Sequence, residues 1–303
     1  MITPEQLANR RDYLGSSEIS AIFSDADGKS LNQYANAIDI FVHKVYNVEP
    51  VKLNEAMKIG NRYESALAEF ASEELRCDIQ QDSSMLEFIP DILDKNGVKF
   101  TRSHPDGYTL GDHYYKGAMY DDTSGIECKT TSLSDEWDAT QVDGVPFNVL
   151  LQCQHQMLCT GWKRVFVPVL LGGFRLQEHL FMIERNDPII AAILTRIVSF
   201  WNDNVLAHVV PEDSEPGHID VFKRIIRQPE SWGNVDTENV IKWEALKEVA
   251  KQAKVDVSTA LAMVLIDLGD NDGAHLDDGR EFTYFTQMRN GAEFPVARIR
   301  KGR

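Results

Sequence analysis

The sequence predicts an α/β (α+β) fold, with a central mixed β-sheet flanked by helices and a C-terminal helical and β-hairpin extension. Three observations predict it. Apolar residues recur every three or four positions in several long segments, as in amphipathic helices. Other segments are short β-rich runs bounded by turn residues. The chain has 303 residues, 43% of them hydrophobic, which is enough for one full core and an extension.

Two amphipathic helices are expected in the first third of the chain. One runs from Ser30, as N-cap, to Asn47, and the other from Met57 to Arg76. Glu64 lies on the edge of the second apolar stripe, where a carboxylate needs a partner such as a metal ion or its water shell. The alternative is an exposed glutamate beside Arg62. The apolar positions used are Tyr34, Ile38, Phe41, Val42 and Val45 in the first helix, and Tyr63, Leu67, Phe70, Ala71 and Leu75 in the second.

The sheet is expected between these helices and a long helix near residue 200. Alternating strand-like pieces precede a long polar hairpin, and two further strands follow a helix, which gives a sheet with helices on both faces. The segments are strands within Ile79–Phe100 with turns at Pro90-Asp91 and Asn96-Gly97, a helix Phe147–Thr160, a strand Arg164–Leu171, a turn Gly172-Gly173, a strand Phe174–Ile183 and a helix from Asp187-Pro188 to about His208.

The composition changes after Pro211, so we predict a core over residues 1–210, a linker over 211–234 and an extension over 235–303. The extension contains a helical pattern to about Leu268 and a hairpin, Glu281–Ile299, that turns at Asn290-Gly291. Its basic tail is either a DNA-facing patch or simply solvated. The basic residues are Arg298, Arg300, Lys301 and Arg303.

The formal net charge of −16 argues against a protein that coats nucleic acid indiscriminately, so positive charge for a DNA substrate must be local. No run of eighteen apolar residues and no leader pattern occurs, which predicts a cytoplasmic protein that does not contact a membrane. The four cysteines show no C-x-x-C pairing, which argues against a zinc ribbon, a disulfide framework or an iron–sulfur cluster. We expect them to be buried as small hydrophobic residues.

The central stretch from His104 to Ser132 carries the chemistry. Glu127 and Lys129 flank Cys128 in an extended segment, so they share one face while Cys128 points to the other. If Asp106 folds back beside them, two carboxylates converge, which suits Mg²⁺. Lys129 would place the attacking water and help to deprotonate it, in metal-assisted hydrolysis of DNA. Asp121 and Asp122 remain alternatives to Asp106, and a hairpin with a surface salt bridge is the simpler interpretation.

Two further groups are candidates for binding phosphate. Ser16 and Ser17 stand at a helix start that follows Arg10 and Arg11, and a helix N-terminus with hydroxyls binds anions. Gln152 and Gln156 share one helix face and could orient water or a phosphate. The simpler interpretations are a capped helix with solvated arginines and a polar helix face. His155 is expected to be structural or on the surface, because no second histidine stands at ligand spacing.

Together these pieces resemble the PD-(D/E)xK nuclease superfamily and, within it, the YqaJ-type viral recombinases, the family of the phage lambda exonuclease. The resemblance covers about Arg10 to His208, and its specificity comes from the order of the motifs. The motifs are RRDYLGSSEISAIF, IGNRYESALAEF, SHPDGY, GIECKTTS, LLQCQHQMLCTGW and FMIERND.

The resemblance implies a restriction-endonuclease-like core and a Mg²⁺-dependent 5′→3′ exonuclease, with Mn²⁺ as a possible substitute. It would act on linear double-stranded DNA ends, leave 3′ single strands for an annealing protein, and assemble as a homo-oligomer such as a trimeric ring. The implied metal ligands are Asp106, Glu127, the Cys128 carbonyl and, through water, Glu64; Lys129 is the implied catalytic lysine and Gln152 the motif glutamine; Arg10 and Ser17, with Arg11 as an alternative, are implied to hold the 5′ phosphate.

This chain departs from the lambda enzyme in the longer segment between Asp106 and Glu127 and in its high acidic charge. An endonuclease of the same superfamily, restriction- or repair-like, is the alternative enzyme. A non-catalytic DNA-end-binding protein is the alternative from another class, although the joint presence of Asp106, Glu127 and Lys129 speaks for catalysis.

Overall fold

A six-stranded mixed sheet forms the centre of the first of two units into which the chain divides, Met1–Arg227 and Gln228–Arg303. The structure is a computed structural model that describes residues 9–49, 51–81, 88, 100–132, 134–138, 144–172, 176–212, 216–289 and 292–301. The predicted turns Pro90-Asp91, Asn96-Gly97 and Asn290-Gly291, together with Gly173, lie outside the described residues.

The strands are β1 Leu14–Gly15, β2 Asp78–Gln80, β3 Thr101–Arg102, β4 Gly107–Leu110, β5 His113–Tyr115, β6 Ala118–Tyr120, β7 Gly125–Ile126, β8 Lys129–Thr131, β9 Arg164–Leu171, β10 Gln177–Glu184, β11 Gly273–His275, β12 Arg280–Arg289 and β13 Ala292–Lys301. The α-helices are α1 Ala37–Val45, α2 Glu55–Leu75, α3 Phe147–Thr160, α4 Asp187–Ser199, α5 Ile219–Lys223 and α6 Thr237–Leu268. Short 3-10 helices span Asn9–Asp12, Ser16–Ile22 and Ser134–Glu136, and a π-helical segment, Phe200–Leu206, continues α4.

The strand order is β10-β9-β7-β4-β2, and β8 also pairs with β9. The strands β7 and β8 are both parallel to β9, whereas the remaining pairs are antiparallel. Ile126 lies opposite Phe166 and Lys129 lies opposite Val169, so β7 and β8 keep one register. β7 and β8 therefore act as one strand beside β9, called here the β7–β8 line, which is interrupted at residues 127 and 128.

Two hydrophobic clusters lie on opposite faces of this sheet, as the period of two in β9 requires. Val165, Val167 and Val169 pack with α3 and α4 on one face. Phe166 packs with Ala71 and Leu75 of α2 on the other. The predicted α/β fold, with a mixed sheet between helices, is confirmed.

The first helix starts later than predicted. Its N-cap is Asn36, whose side chain accepts from the Asp39 amide at 3.0 Å while Asp39 accepts from the Asn36 amide at 3.0 Å. The predicted cap, Ser30, instead donates to the Ala35 carbonyl in the preceding turn at 2.8 Å. The predicted burial of Tyr34 is therefore wrong; it precedes the helix and is 74% exposed.

In the second helix, Leu67, Ala71 and Leu75 are buried as predicted, whereas Tyr63 is 40% exposed, which corrects its predicted burial. The segment Asp187–Leu206 is long and apolar enough, by length and composition, to cross a membrane, with a mean hydropathy of 1.3. Its residues Ile190, Ile193 and Ile197 belong to the core cluster, which is the burial expected of a core helix.

The second unit contains α6 and a three-stranded antiparallel sheet in the order β11-β12-β13. Leu268 at the end of α6 is buried, whereas Trp243, Leu246 and Val249 are exposed. Within the predicted linker, α5 and Ile225 contribute to the core cluster of the first unit. The predicted boundaries 1–210, 211–234 and 235–303 stay a prediction.

Candidate active site

The candidate site lies where the β7–β8 line is interrupted. Gly107 still pairs with Ile126, and the Asp106 amide donates to the Ile126 carbonyl at 3.1 Å. At the next step the Cys128 amide donates to Asp106 Oδ2 at 2.8 Å instead of to a strand carbonyl. The carboxylate of Asp106 thus replaces a sheet hydrogen bond, which fixes it beside residues that are 22 positions away in sequence.

Glu127 is held by three donors on its face of the sheet. Its Oε1 accepts from Lys129 Nζ at 2.5 Å and from Gln152 Nε2 at 2.6 Å, and its Oε2 accepts from Gln156 Nε2 at 2.5 Å. Gln152 Oε1 in turn accepts from Lys129 Nζ at 3.1 Å. The four-residue spacing of the two glutamines on α3 places both amides against the same carboxylate.

Cys128 occupies the opposite face, as the strand alternation predicts. Its thiol donates to the Glu64 carbonyl of α2 at 3.5 Å, and the Glu64 side chain is half-buried. Two helices on opposite sides of the sheet therefore contribute to one place: α3 through its glutamines and α2 through Glu64.

The electrostatics of the site are dominated by carboxylates. Burial and the neighbouring charge of Glu127 raise the pKa of Asp106 well above its usual value, and Glu64 adds to the increase. Burial alone would lower the pKa of Lys129, but Glu127 and Asp106 outweigh it and raise that pKa to about 12. Lys129 is thus an ammonium ion at neutral pH, so it can orient a water or a phosphate oxygen but does not accept a proton in this state.

These residues fit a hard divalent cation. The carboxylates of Glu127 and Glu64 both act on that of Asp106 against the single ammonium of Lys129, so a cation would relieve the excess negative charge. Among the described residues, no group of three His, Cys, Asp or Glu side chains is placed to hold a metal ion. A cation at this place would therefore take one or two carboxylates, those of Asp106 and Glu127, and complete its shell with water and carbonyl oxygens, as Mg²⁺ does.

Asp122 does not join this group. It forms ion pairs with Arg164 and with Lys163, the latter at 3.1 Å, and these partners lower its pKa although burial acts to raise it. Asp121 is exposed at the hairpin. Of the alternatives left open, the structure brings Asp106 to Glu127.

Of the four candidates for phosphate binding near the N-terminus, only Arg10 and Ser17 contact each other at the surface. Arg10 donates to the hydroxyl of Ser17 at 2.7 Å, and both side chains face solvent. Arg11 instead donates to the Lys44 and Val45 carbonyls at the end of α1, at 3.0 and 2.7 Å. This is a helix C-cap, which differs from the predicted phosphate contact.

The side chains of two other residues that were predicted to contact phosphate, Ser16 and Gln156, face the protein interior. Ser16 is buried and bonds His155 Nδ1 at 2.8 Å and Ser103 Oγ at 3.1 Å. Gln156 is fully buried behind Glu127. Their hydrogen bonds and burial correct the prediction that they contact phosphate, and leave them as supports of the site.

His155 is a buried structural histidine, which sequence reasoning left undecided between core and surface. It joins Ser16 to Thr101, whose Oγ1 lies 2.7 Å from Nε2, and burial lowers its pKa to about 3. The signal available in the sequence for this buried role was that His155, a polar residue, stands next to Gln156 at a buried position of α3. Cys153 and Cys159 are buried as expected, and all four cysteines are free.

Comparisons with known proteins agree with this architecture. Residues 5–163 match the family model of the YqaJ-like viral recombinase domain. The alkaline exonuclease LHK-Exo from Laribacter hongkongensis has a similar structure, with a TM-score of 0.51 and 19% identity over 68% of this chain and 94% of that chain. Its complex with dAMP gives a TM-score of 0.51 and 18% identity over the same shares. At these identities the likeness shows the fold, and no curated protein sequence matches the chain.

Proposed function

The chain belongs to the YqaJ-like viral recombinase family, and from this membership we propose that it is a phage-type deoxyribonuclease, a Mg²⁺-dependent 5′→3′ exonuclease on linear double-stranded DNA. The observation that carries the proposal is the meeting of Asp106, Glu127 and Lys129 at the interrupted strand. The name of the similar enzyme, an alkaline exonuclease, supports the same activity.

Asp106, Glu127 and the Cys128 carbonyl, with Glu64 through water, would hold Mg²⁺, and Mn²⁺ would substitute for it. When bound, the cation polarises the scissile phosphate and lowers the pKa of water. The ammonium of Lys129 positions the attacking water and a phosphate oxygen, while Gln152 fixes that ammonium.

Arg10 and Ser17 would contact the terminal 5′ phosphate, because a guanidinium and a hydroxyl that share an exposed site suit an anion. Digestion from that end leaves a 3′ single strand, the substrate of a single-strand annealing protein. We further propose a homo-oligomer, a trimeric ring around the duplex, which would compensate for the acidic net charge by enclosing the substrate, and an activity in the cytoplasm of the bacterial or phage-infected cell.

The decisive experiment uses end-labelled linear duplex in Mg²⁺, Mn²⁺ or chelator. We expect release of mononucleotides that requires the metal, and a loss of about 10²–10³-fold in rate for Lys129→Ala, the size measured when a transition-state donor is removed. Lys163→Ala is the matched control, because Lys163 pairs with Asp122 on the surface and should retain activity.

Two results would contradict the proposal: equal digestion in chelator, or an unimpaired Lys129→Ala variant. Cleavage of covalently closed circular DNA would favour the endonuclease. Binding to ends without cleavage under any metal would favour the non-catalytic end-binding protein.

A further inference from the structure

A buried ion pair lies outside the candidate nuclease centre and has no part in the proposed hydrolysis. Lys44 Nζ donates to Glu18 Oε1 and Oε2 at 3.0 and 2.8 Å, and the two residues are 5% and 7% exposed. The Gly15 amide also donates to Glu18 Oε2 at 2.8 Å. Residues from α1 and from the segment after β1 are therefore joined by charge inside the protein.

The Glu18–Lys44 pair contacts Arg10 at two places, its backbone carbonyl and its guanidinium. Lys44 Nζ donates to the Arg10 carbonyl at 2.7 Å, and Glu18 Oε1 lies 3.6 Å from Arg10 Nε. On its outer side, the guanidinium donates to Ser17. Arg10 thus stands between a buried carboxylate and an exposed hydroxyl, with its backbone fixed as well.

Arg10 carries its charge at the surface, whereas the carboxylate of Glu18 faces the buried Lys44; burial lowers the pKa of Lys44, and Glu18 and Asp12 act to raise it. Although burial acts to raise the pKa of Glu18, Lys44 and Arg10 lower it, so Glu18 is ionised at neutral pH. Burial of such a pair contributes little to stability compared with apolar residues of similar volume. Its effect here is geometric: it restricts a long arginine side chain to one orientation.

We propose that Glu18, together with Lys44, is a positioning residue that holds Arg10 for a terminal phosphate and so sets a preference for 5′-phosphorylated over 5′-hydroxyl DNA ends. The inference rests on the proposed phosphate contact of Arg10 and Ser17. Because the guanidinium of Arg10 is already held in place, it loses less conformational freedom when it binds a phosphate. The resulting gain in affinity applies to the 5′-phosphorylated end and is absent at the 5′-hydroxyl end.

The test measures equilibrium binding in chelator, by fluorescence anisotropy, of one duplex with either 5′-phosphate or 5′-hydroxyl ends. In Glu18→Gln we expect the ratio of the two affinities to fall about tenfold, with binding of the hydroxyl end unchanged. Because Glu18→Gln leaves the buried Lys44 unpaired, the double variant Glu18→Gln/Lys44→Met is measured as well; it buries no unpaired charge and should show the same loss.

Asp39→Asn is the matched control. Like Glu18, Asp39 is a buried acid, but it lies in α1, where it caps the helix and bonds His218, so its loss should lower stability and keep the affinity ratio. Folded Glu18 variants that keep the wild-type ratio, or that weaken both ends equally, would overturn the inference. Wild type that digests DNA yet binds both ends equally also overturns it, whereas a binding preference without any digestion removes the nuclease proposal and leaves this one.

Discussion

His155 shows how one buried side chain depends on distant parts of the sequence. It connects α3 to the segment after β1 through Ser16 and to β3 through Thr101. The ring is neutral in the folded protein because burial lowers its pKa to about 3, from an ordinary value of 6.5. The unfolded chain binds a proton in the interval between these values and the folded chain does not.

The sign of the resulting pH dependence follows from that difference. Stability from His155 is fully present above pH 6.5 and is lost as pH falls toward 3, by about 1.4 kcal/mol per pH unit. We expect wild type to lose about 2 kcal/mol more than His155→Gln between pH 6.5 and 5, measured by urea unfolding. The other histidines are common to both proteins and cancel. Parallel curves for the two proteins would show that the pKa of His155 is the same in the folded and the unfolded chain.

The candidate site was predictable at this scale only in part. Strand alternation and the helical spacing of four are local rules, so Glu127, Lys129 and Gln152 could be placed on common faces from sequence. The choices between Arg10 and Arg11, and between Ser16 and Ser17, depend on which neighbour meets α1 or α3. Adjacent residues of the same type carry no local signal for that, so only tertiary packing separates them.

At the scale of elements, two glycines beside the site are expected to respond in opposite directions to the same substitution. A Cβ on Gly125 of β7 would lie 2.6 Å from the ring of Trp162, and that ring also packs against Phe88 and Tyr108. A Cβ on Gly60 of α2 would meet Thr130 at an ordinary 3.6 Å.

We therefore expect Gly125→Ala to lower the free energy of unfolding by about 1–3 kcal/mol, as overpacking does. Gly60→Ala should raise it by about 0.5–1 kcal/mol, because alanine favours the helix interior. Urea denaturation of the two variants beside wild type measures both changes. A stabilised Gly125→Ala would mean that Trp162 does not close against β7.

Elements with strong periodicity were predicted closely, including α3 and β9, because each packs along its whole length in the core. The start of α1 was missed since Ser30 and Asn36 are both good caps, and the reciprocal bond with Asp39 decides between them. The end of α4 was also unpredictable: the periodic pattern continues through a π-helical segment, whose altered hydrogen bonding the sequence does not mark.

For the whole molecule, both hydrophobic clusters and all residues of the candidate site belong to the first unit. A chain that ends at Arg227 is thus expected to fold cooperatively and to show the proposed metal-dependent digestion of linear DNA. Thermal unfolding and the end-labelled assay on the truncated protein check this. Aggregation of the shortened chain, or loss of its sharp transition, would show that the second unit is required for the first to fold.

The overall architecture was accessible from sequence because alternation, helix periodicity and composition all favour a sheet between helices. The sequence was less informative about α6, because an apolar pattern at helical spacing predicts a helix but does not reveal whether a partner covers its apolar side chains. Trp243, Leu246 and Val249 follow such a pattern and are exposed.

The amide of Cys128 offers a spectroscopic probe that this protein already contains. Because that N–H donates to the side-chain carboxylate of Asp106, its nitrogen and proton chemical shifts should change when Asp106 ionises or a cation binds. The chemical shifts of neighbouring amides that donate to carbonyls should change less. Labelling the four cysteines with ¹⁵N would then let NMR titrations, read at the Cys128 amide, test the proposed metal site without substrate.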